Sequence, residues 1–216
     1  YRSIFTGSSA RSLVGADEMN ETRVLTTPIW KASREDINDP NVHYVLSYDV
    51  ARASGNANAN SSLVVIKIID RGDGTYVKHL VNLFTMEGTH FLNQAKFLKQ
   101  KVKEYNARIL CIDANGLGAG LVDQLTSEID DNPPYSVVND EKFNMLKKPN
   151  SIPMIFAVSS QSRGTKNENI INHFMATIAN NDIKMLKAES QAKSEIREKD
   201  PYKFADKLLP FIQTDR

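Results

Sequence analysis

Residues 108 to 125 read Arg-Ile-Leu-Cys-Ile-Asp-Ala-Asn-Gly-Leu-Gly-Ala-Gly-Leu-Val-Asp-Gln-Leu. The apolar run Ile109 to Ile112 has the length and composition of a buried strand. It ends on Asp113, passes through Gly116, Gly118 and Gly120, and enters a stretch where Leu117, Leu121 and Leu125 recur every fourth residue, one face of a helix. A strand that hands over to a helix through a glycine turn is the building unit of an open α/β sheet, and such sheets hold their ligand sites at the carboxyl ends of their strands. Asp113 is therefore a candidate functional residue. Its meaning depends on Asp49, which ends another apolar run, Tyr44-Val45-Leu46-Ser47-Tyr48-Asp49-Val50.

Around these two runs the chain divides as follows. Residues 1–40 read as an arm or linker, with Phe5-Thr6-Gly7-Ser8-Ser9 and a polar run at Asp36 to Pro40; only Ile29-Trp30 is strongly apolar. The domain proper is expected over residues 41–216. After the Asp49 strand comes a loop rich in Asn, Ala and Ser, Arg52 to Ser62. Leu63–Ile69 and Tyr76–Phe84 are rich in β-branched residues, and Arg71-Gly72-Asp73-Gly74 between them tolerates positive φ, which predicts a hairpin. Phe91, Ala95, Leu98, Val102 and Tyr105 then mark one face of a helix that Thr89 could cap. Beyond the Asp113 unit, Asp130 to Pro134 stops the helix, and Tyr135–Val138 and Met154–Val158 are short strands. A helix over 167–179 is expected to bury Ile171, Phe174 and Ile178. A charged segment and a last helix, Pro201 to Ile212, complete the chain.

Composition excludes several classes. Of 216 residues 41% are hydrophobic and 25% charged, a globular profile, and 27 basic against 26 acidic residues leave a net charge of +1 that selects no partner. One cysteine, Cys111, excludes an internal disulfide and a multi-cysteine zinc site, and fits a reducing compartment. No apolar run is long enough to span a bilayer, so no membrane partner is expected. The chain opens on Tyr1, which suggests a piece of a longer chain. No Gly-x-x-x-x-Gly-Lys-Ser/Thr phosphate loop occurs, so no ATPase activity is expected from it.

The predicted order is strand, hairpin, helix, strand, helix, strand, helix. A right-handed crossover after the third strand returns the chain beside the first and parallel to it. The strands of Asp49 and Asp113 then become neighbours with their carboxyl ends at one edge, about 4.8 Å apart, close enough for both acids to share a divalent cation that relieves their repulsion. This is a ribonuclease H-like α/β layout: a mixed sheet of about five strands or more, order 3-2-1-4-5, flanked by helices. Glycines at 116, 118 and 120 could instead form a dinucleotide cradle. Against this, Asp113 stands between strand and glycines, and the acids about 20 residues on, Asp130 and Asp131, precede a double proline rather than ending a strand. They read as turn and close-packing positions.

Val45-Leu46-Ser47-Tyr48-Asp49-Val50-Ala51-Arg52 resembles the first acidic motif of the nuclease domain in large terminase subunits of tailed bacteriophages, and Cys111 through Leu125 resembles the second. Phe5 to Ser9 is similar to the connection from the packaging motor. The resemblance implies a metal-dependent endonuclease that cuts concatemeric double-stranded viral DNA during genome packaging. It further implies two Mg²⁺ or Mn²⁺ ions at Asp49 and Asp113, which would be the catalytic residues. The implied partners are the portal, the small terminase subunit and the protein's own ATPase domain, in the cytoplasm of the bacterial host. Two departures from the family pattern stand out. Its downstream acid in the first motif falls where this chain reads Asn56-Ala57-Asn58-Ala59-Asn60, and its third metal-binding carboxylate has no match before Arg216.

DNA-contact candidates come from charge. Residues 142 to 166 hold Lys142, Lys147, Lys148, Arg163 and Lys166 and no acid, and Arg52 follows the first acidic motif. The residues alone leave open a resolvase-, integrase- or transposase-type nuclease, and a non-catalytic DNA- or protein-docking module.

Overall fold

The structure, a computed structural model, describes residues 14–51, 60–87, 90–158 and 165–187, without the side chains of residues 87 and 165–168. Two short helices, α1 (Ala16–Glu21) and α2 (Arg34–Asn38), flank strand β1 (Arg23–Leu25). There follow β2 (Val42–Asp49), β3 (Asn60–Asp70), β4 (Tyr76–Glu87), α3 (Phe91–Tyr105), β5 (Ile109–Asp113) and α4 (Leu117–Leu125). Strand β6 (Tyr135–Val137), a 3-10 turn (Glu141–Leu146), β7 (Ile152–Val158), α5 (Thr165–Ala179) and β8 (Ile183–Leu186) complete the described chain.

The eight strands form one mixed sheet in the order β1-β8-β4-β3-β2-β5-β7-β6. Its centre, β4-β3-β2-β5-β7, realises the ribonuclease H-like order: β2, β3 and β4 are antiparallel in sequence, and β5 lies parallel to β2. The hairpin turns at Gly72 and Gly74, both at positive φ (79° and 86°). After β4 the chain crosses through α3, whose carboxyl end is closed by Asn106 in the left-handed region (φ 47°).

Several expectations are corrected. The fifth central place belongs to β7; β6, only three residues long, pairs outside it. Helix α3 begins after His90, not at a capping Thr89, which lies outside the described residues. The segment read as an arm adds an edge strand, because β1 pairs with β8, a strand that sequence patterning did not indicate. Among the described side chains of α5 only Ile178 is buried, whereas Ile171 and Phe174 are 41% and 43% exposed. The expected last helix, Pro201 to Ile212, lies outside the described residues, as does the Phe5–Ser9 segment.

Strand periodicity divides the sheet into two unlike faces. Tyr44, Leu46 and Tyr48 of β2, Leu63 and Val65 of β3, and Leu110 and Ile112 of β5 are buried on one. Against them pack Ala95, Leu98, Val102 and Tyr105 of α3 and Leu121, Val122 and Leu125 of α4. Each fully buried Leu or Ile contributes about 1.5–3 kcal/mol. On the other face Leu83, Val64, Ser47, Cys111 and Phe156 form one transverse row across β4, β3, β2, β5 and β7. That face is more open, with Leu83 53% and Phe156 42% exposed at its ends. No helix among the described residues is long and apolar enough to cross a membrane.

At the amino end of β2, Asp36 ties α2 to the sheet, accepting from Lys67 Nζ and Tyr44 Oη, each at 2.6 Å. Burial pushes its carboxyl up, but the bonds from Lys67 and Tyr44 outweigh it and leave the group below the usual aspartate range. A carboxylate depressed in the fold stabilises above the unfolded value, about 3.9, and loses that contribution as pH falls through its own lower value. Asp36→Asn is therefore expected to flatten the acid limb of the stability curve below about pH 4, read by urea unfolding at stepped pH.

Candidate active site

The β2–β5 ladder runs in register from Val45 opposite Ile109 to Tyr48 opposite Ile112. One residue further along both strands, Asp49 stands beside Asp113, at roughly the 4.8 Å spacing of neighbouring strands. Alternation puts Asp49 on the side of Val45 and Ser47, and Asp113 on the side of Ile109 and Cys111, so both carboxylates project from the more open face. Asp49 pairs with Ser62 of β3 and Asp113 with Val158 of β7. The two acids thus sit at the carboxyl edge of three mutually parallel strands, β2, β5 and β7. Asp49 is exposed and Asp113 half-buried.

The glycine turn after Asp113 fixes its backbone. Gly116 has φ 52° and ψ −110°, a region closed to most side chains. Gly118 packs directly on the end of β5: a Cβ there would lie 1.7 Å from the Asp113 carbonyl oxygen. At Gly120 a Cβ would meet the Phe91 ring at 2.8 Å, so α4 approaches α3 closely only because the residue is small. Asn115 donates from its backbone N (3.0 Å) and its Nδ2 (2.6 Å) to Asp113 Oδ1. That anchors one carboxylate oxygen and leaves Oδ2 without a hydrogen bond among the described residues. No hydrogen bond or ion pair holds the Asp49 carboxylate among the described residues.

Behind Asp49 lies a buried polar cluster that sequence reasoning did not find. Ser61 Oγ accepts from the Ala51 N–H and donates to the Ala51 carbonyl, both at 2.9 Å. Gln94 Nε2 donates to the same carbonyl at 3.1 Å, and Tyr48 Oη donates to Gln94 Oε1 at 2.9 Å. Burial pushes the Tyr48 phenol above its ordinary value, so it stays protonated and remains the donor. The available signal was Gln94 itself, a polar residue three places after Phe91 on the buried stripe of α3.

Among the basic candidates whose side chains are described, Lys147 and Lys148 are not at this edge. Arg52 and Arg163 lie outside the described residues, and of Lys166 only the backbone, in α5, is described. Lys142 pairs with Asp140 at 3.0 Å and lies over the Phe143 ring at 4.8 Å, so its charge is partly answered. Lys147 and Lys148 sit at the other end of β7: the Lys148 N–H donates to Ser151 Oγ, just before Ile152. The six residue steps from Ile152 to Val158 span about 20 Å. Lys148 instead lies near Lys99, a fully buried ammonium that donates to the carbonyls of Ser127 (2.9 Å) and Pro133 (2.7 Å). Among the described residues, no group of three or more His, Cys, Asp or Glu is placed to hold a metal ion.

A hard divalent cation fits the donor set at the edge, because two carboxylates on one face present hard oxygen atoms without nitrogen or sulfur. The arrangement as a whole is a ribonuclease H-like sheet with paired acids at the carboxyl edge of its central parallel strands. No protein-family model matches the chain, and no curated protein matches it. Among solved structures it is similar to the large terminase nuclease of thermophilic phage G20c. With magnesium bound, that structure is 15% identical at a TM-score of 0.46, covering 80% of this chain and 74% of that one. With zinc bound it is 15% identical at a TM-score of 0.45, covering 88% and 90%. The large terminase nuclease domain of a Thermus phage is 14% identical at a TM-score of 0.42, covering 79% and 70%. At these identities and scores the likeness transfers no residue role to this chain.

Proposed function

We propose that this chain is a metal-dependent endodeoxyribonuclease domain of the large-terminase type, which cuts double-stranded concatemeric viral DNA during genome packaging. The observation that carries the reading is the placement of Asp49 beside Asp113 on adjacent parallel strands, both facing one side of the carboxyl edge. The sequence resemblance of the two acidic motifs supports the packaging role. In that setting the portal, the small terminase subunit and the protein's own ATPase domain are its partners, in the host cytoplasm.

Phosphodiester hydrolysis needs an activated water and a stabilised leaving 3′-oxygen. Bound Mg²⁺ or Mn²⁺ supplies both by lowering the pKa of water and neutralising developing charge. The residues of this chain bind and orient. Asp49, exposed and without a hydrogen bond or ion pair among the described residues, would hold a metal ion, and Asp113 would add its Oδ2 because Asn115 occupies Oδ1. Gly118 lets α4 start directly against the Asp113 carbonyl, which holds the backbone that carries the carboxylate. Two acids make a partial site, so further ligands come from water, from phosphate oxygens and from residues outside those described.

The purified chain is expected to nick and linearise supercoiled plasmid with Mn²⁺ and to leave it intact in EDTA. DNA binding without cutting at any divalent ion would overturn the nuclease reading in favour of a docking module. Lys147 and Lys148, at the opposite end of β7 from the acids, are assigned to flanking backbone rather than the scissile phosphate, together with Lys142, Arg163 and Lys166; Arg52 is assigned nearer the ions. Replacing Lys147 and Lys148 by Ala should then lower the slope of log affinity against log salt by up to about 2, since each phosphate neutralised contributes roughly 0.9. Cleavage at low salt and saturating DNA should be unchanged. A salt slope equal to that of the unsubstituted chain would remove both lysines from the DNA face.

A further inference from the structure

We propose that Gln94 is a positioning residue for Asp49: with Ser61 it clamps the backbone of Ala51 and so aims the end of β2 at Asp113. The inference rests on the metal-binding reading above. The β2–β3 ladder ends at Asp49 opposite Ser62, and the β2–β5 ladder ends at Tyr48 opposite Ile112. Past that point the sheet supplies no further rungs to β2. Side chains take over, and they converge on one residue. Ser61 satisfies both the N–H and the carbonyl of Ala51 and acts as a substitute rung. Gln94 reaches the same carbonyl from α3, and its other amide atom is fixed by Tyr48, the residue before Asp49.

All three contributors are buried: Gln94 is 0% exposed, and Ser61 and Tyr48 are each 2%. They have no access to water as an alternative partner, so the bonds hold a single geometry. Asp49 lies between the two clamped positions, Tyr48 and Ala51, and its carboxylate has no hydrogen bond or ion pair among the described residues. Its orientation is therefore set from its neighbours. The arrangement does for a backbone ligand arm what hydrogen-bonded outer partners do for ligating side chains elsewhere, where their loss weakens metal affinity 10–100-fold. It also makes α3 part of the site, although α3 brings no atom to the open face.

The bland alternative is a buried polar cluster that only stabilises the fold. Three variants of the full chain separate the two. Gln94→Met keeps the volume and removes both bonds; Ser61→Ala removes the substitute rung, and keeps the test open if Gln94→Met does not fold. Tyr105→Phe, the control, removes a buried hydrogen bond to the Ile29 carbonyl at the opposite end of α3 from Gln94. Mn²⁺ affinity is measured by titration calorimetry or by the free-ion electron paramagnetic resonance signal, with melting temperature recorded alongside. Gln94→Met and Ser61→Ala are expected to weaken Mn²⁺ roughly tenfold, and Tyr105→Phe to change it less than about twofold, although all three lower the melting temperature. Equal losses of melting temperature with the original Mn²⁺ affinity in every variant would overturn the positioning role and leave the metal reading standing. No Mn²⁺ binding by the unsubstituted chain would overturn the metal reading itself, and this inference with it.

Discussion

Gly118→Ala is expected to destabilise the protein by about 3 kcal/mol or more, the upper end of what overpacking costs. For a chain of this size that is a fall of roughly 6–12 °C in melting temperature. Helix propensity alone argues the opposite, because alanine is favoured over glycine by about 1 kcal/mol inside a helix. Geometry decides the sign. The added methyl would lie 1.7 Å from the Asp113 carbonyl oxygen, and a backbone atom cannot rotate aside as a side chain can. Either α4 shifts off the end of β5 or the strand end turns, and each moves Asp113. The neighbouring glycines make useful controls. Gly116→Ala meets no atom within 4 Å and costs only the strain of its positive-φ backbone, about 1–3 kcal/mol. Gly120→Ala presses on the edge of the Phe91 ring, which can swing away. Urea unfolding of the three variants should rank Gly118→Ala as the most damaging. Parity with the unsubstituted protein would mean that the strand-to-helix turn is looser than this structure has it.

The second large effect falls on chemistry. Asp49→Asn and Asp113→Asn are each expected to lower the DNA cleavage rate by about 10² or more, since a ligand change that withdraws several kcal/mol of charge stabilisation costs a factor of ten per 1.4 kcal/mol. The same substitutions should leave the metal-free protein as stable as before or slightly more so. Two like charges on adjacent strands repel, and the amide is nearly isosteric with the acid. Opposite signs for activity and metal-free stability are the signature of acids kept for function. A loss of folding in step with activity would instead make them structural, with Asp113 acting as the turn former that its bonds to Asn115 also allow.

Much of the central fold was legible because its signals are local. The hairpin followed from Gly72 and Gly74, the two acidic strands from apolar runs that stop on aspartate, and α3 from its spacing. The handedness of the crossover then placed Asp113 next to Asp49. What escaped depends on distant partners. Periodicity shows that Ile171, Phe174 and Ile178 share a face of α5, but it cannot say what covers that face, and two of the three are exposed. Strand β8 is four residues long and finds its place only through pairing with β1 and β4. Gln94 and Ser61 read as ordinary polar residues until the fold buries them against Ala51. Lys147 and Lys148 looked like companions of the acids in a basic run, yet the return path from β6 to β7 carries them to the other end of the sheet.

Thermal unfolding with and without Mn²⁺ tests most directly whether Asp49 and Asp113 share a cation. A ligand that binds only the folded protein stabilises it by about 2.7 kcal/mol at 100 times its dissociation constant, a rise of roughly 5–11 °C here. The double variant Asp49→Asn with Asp113→Asn, shown by circular dichroism to be folded, should have no Mn²⁺-dependent rise. A rise of the original size in that variant would contradict the shared site.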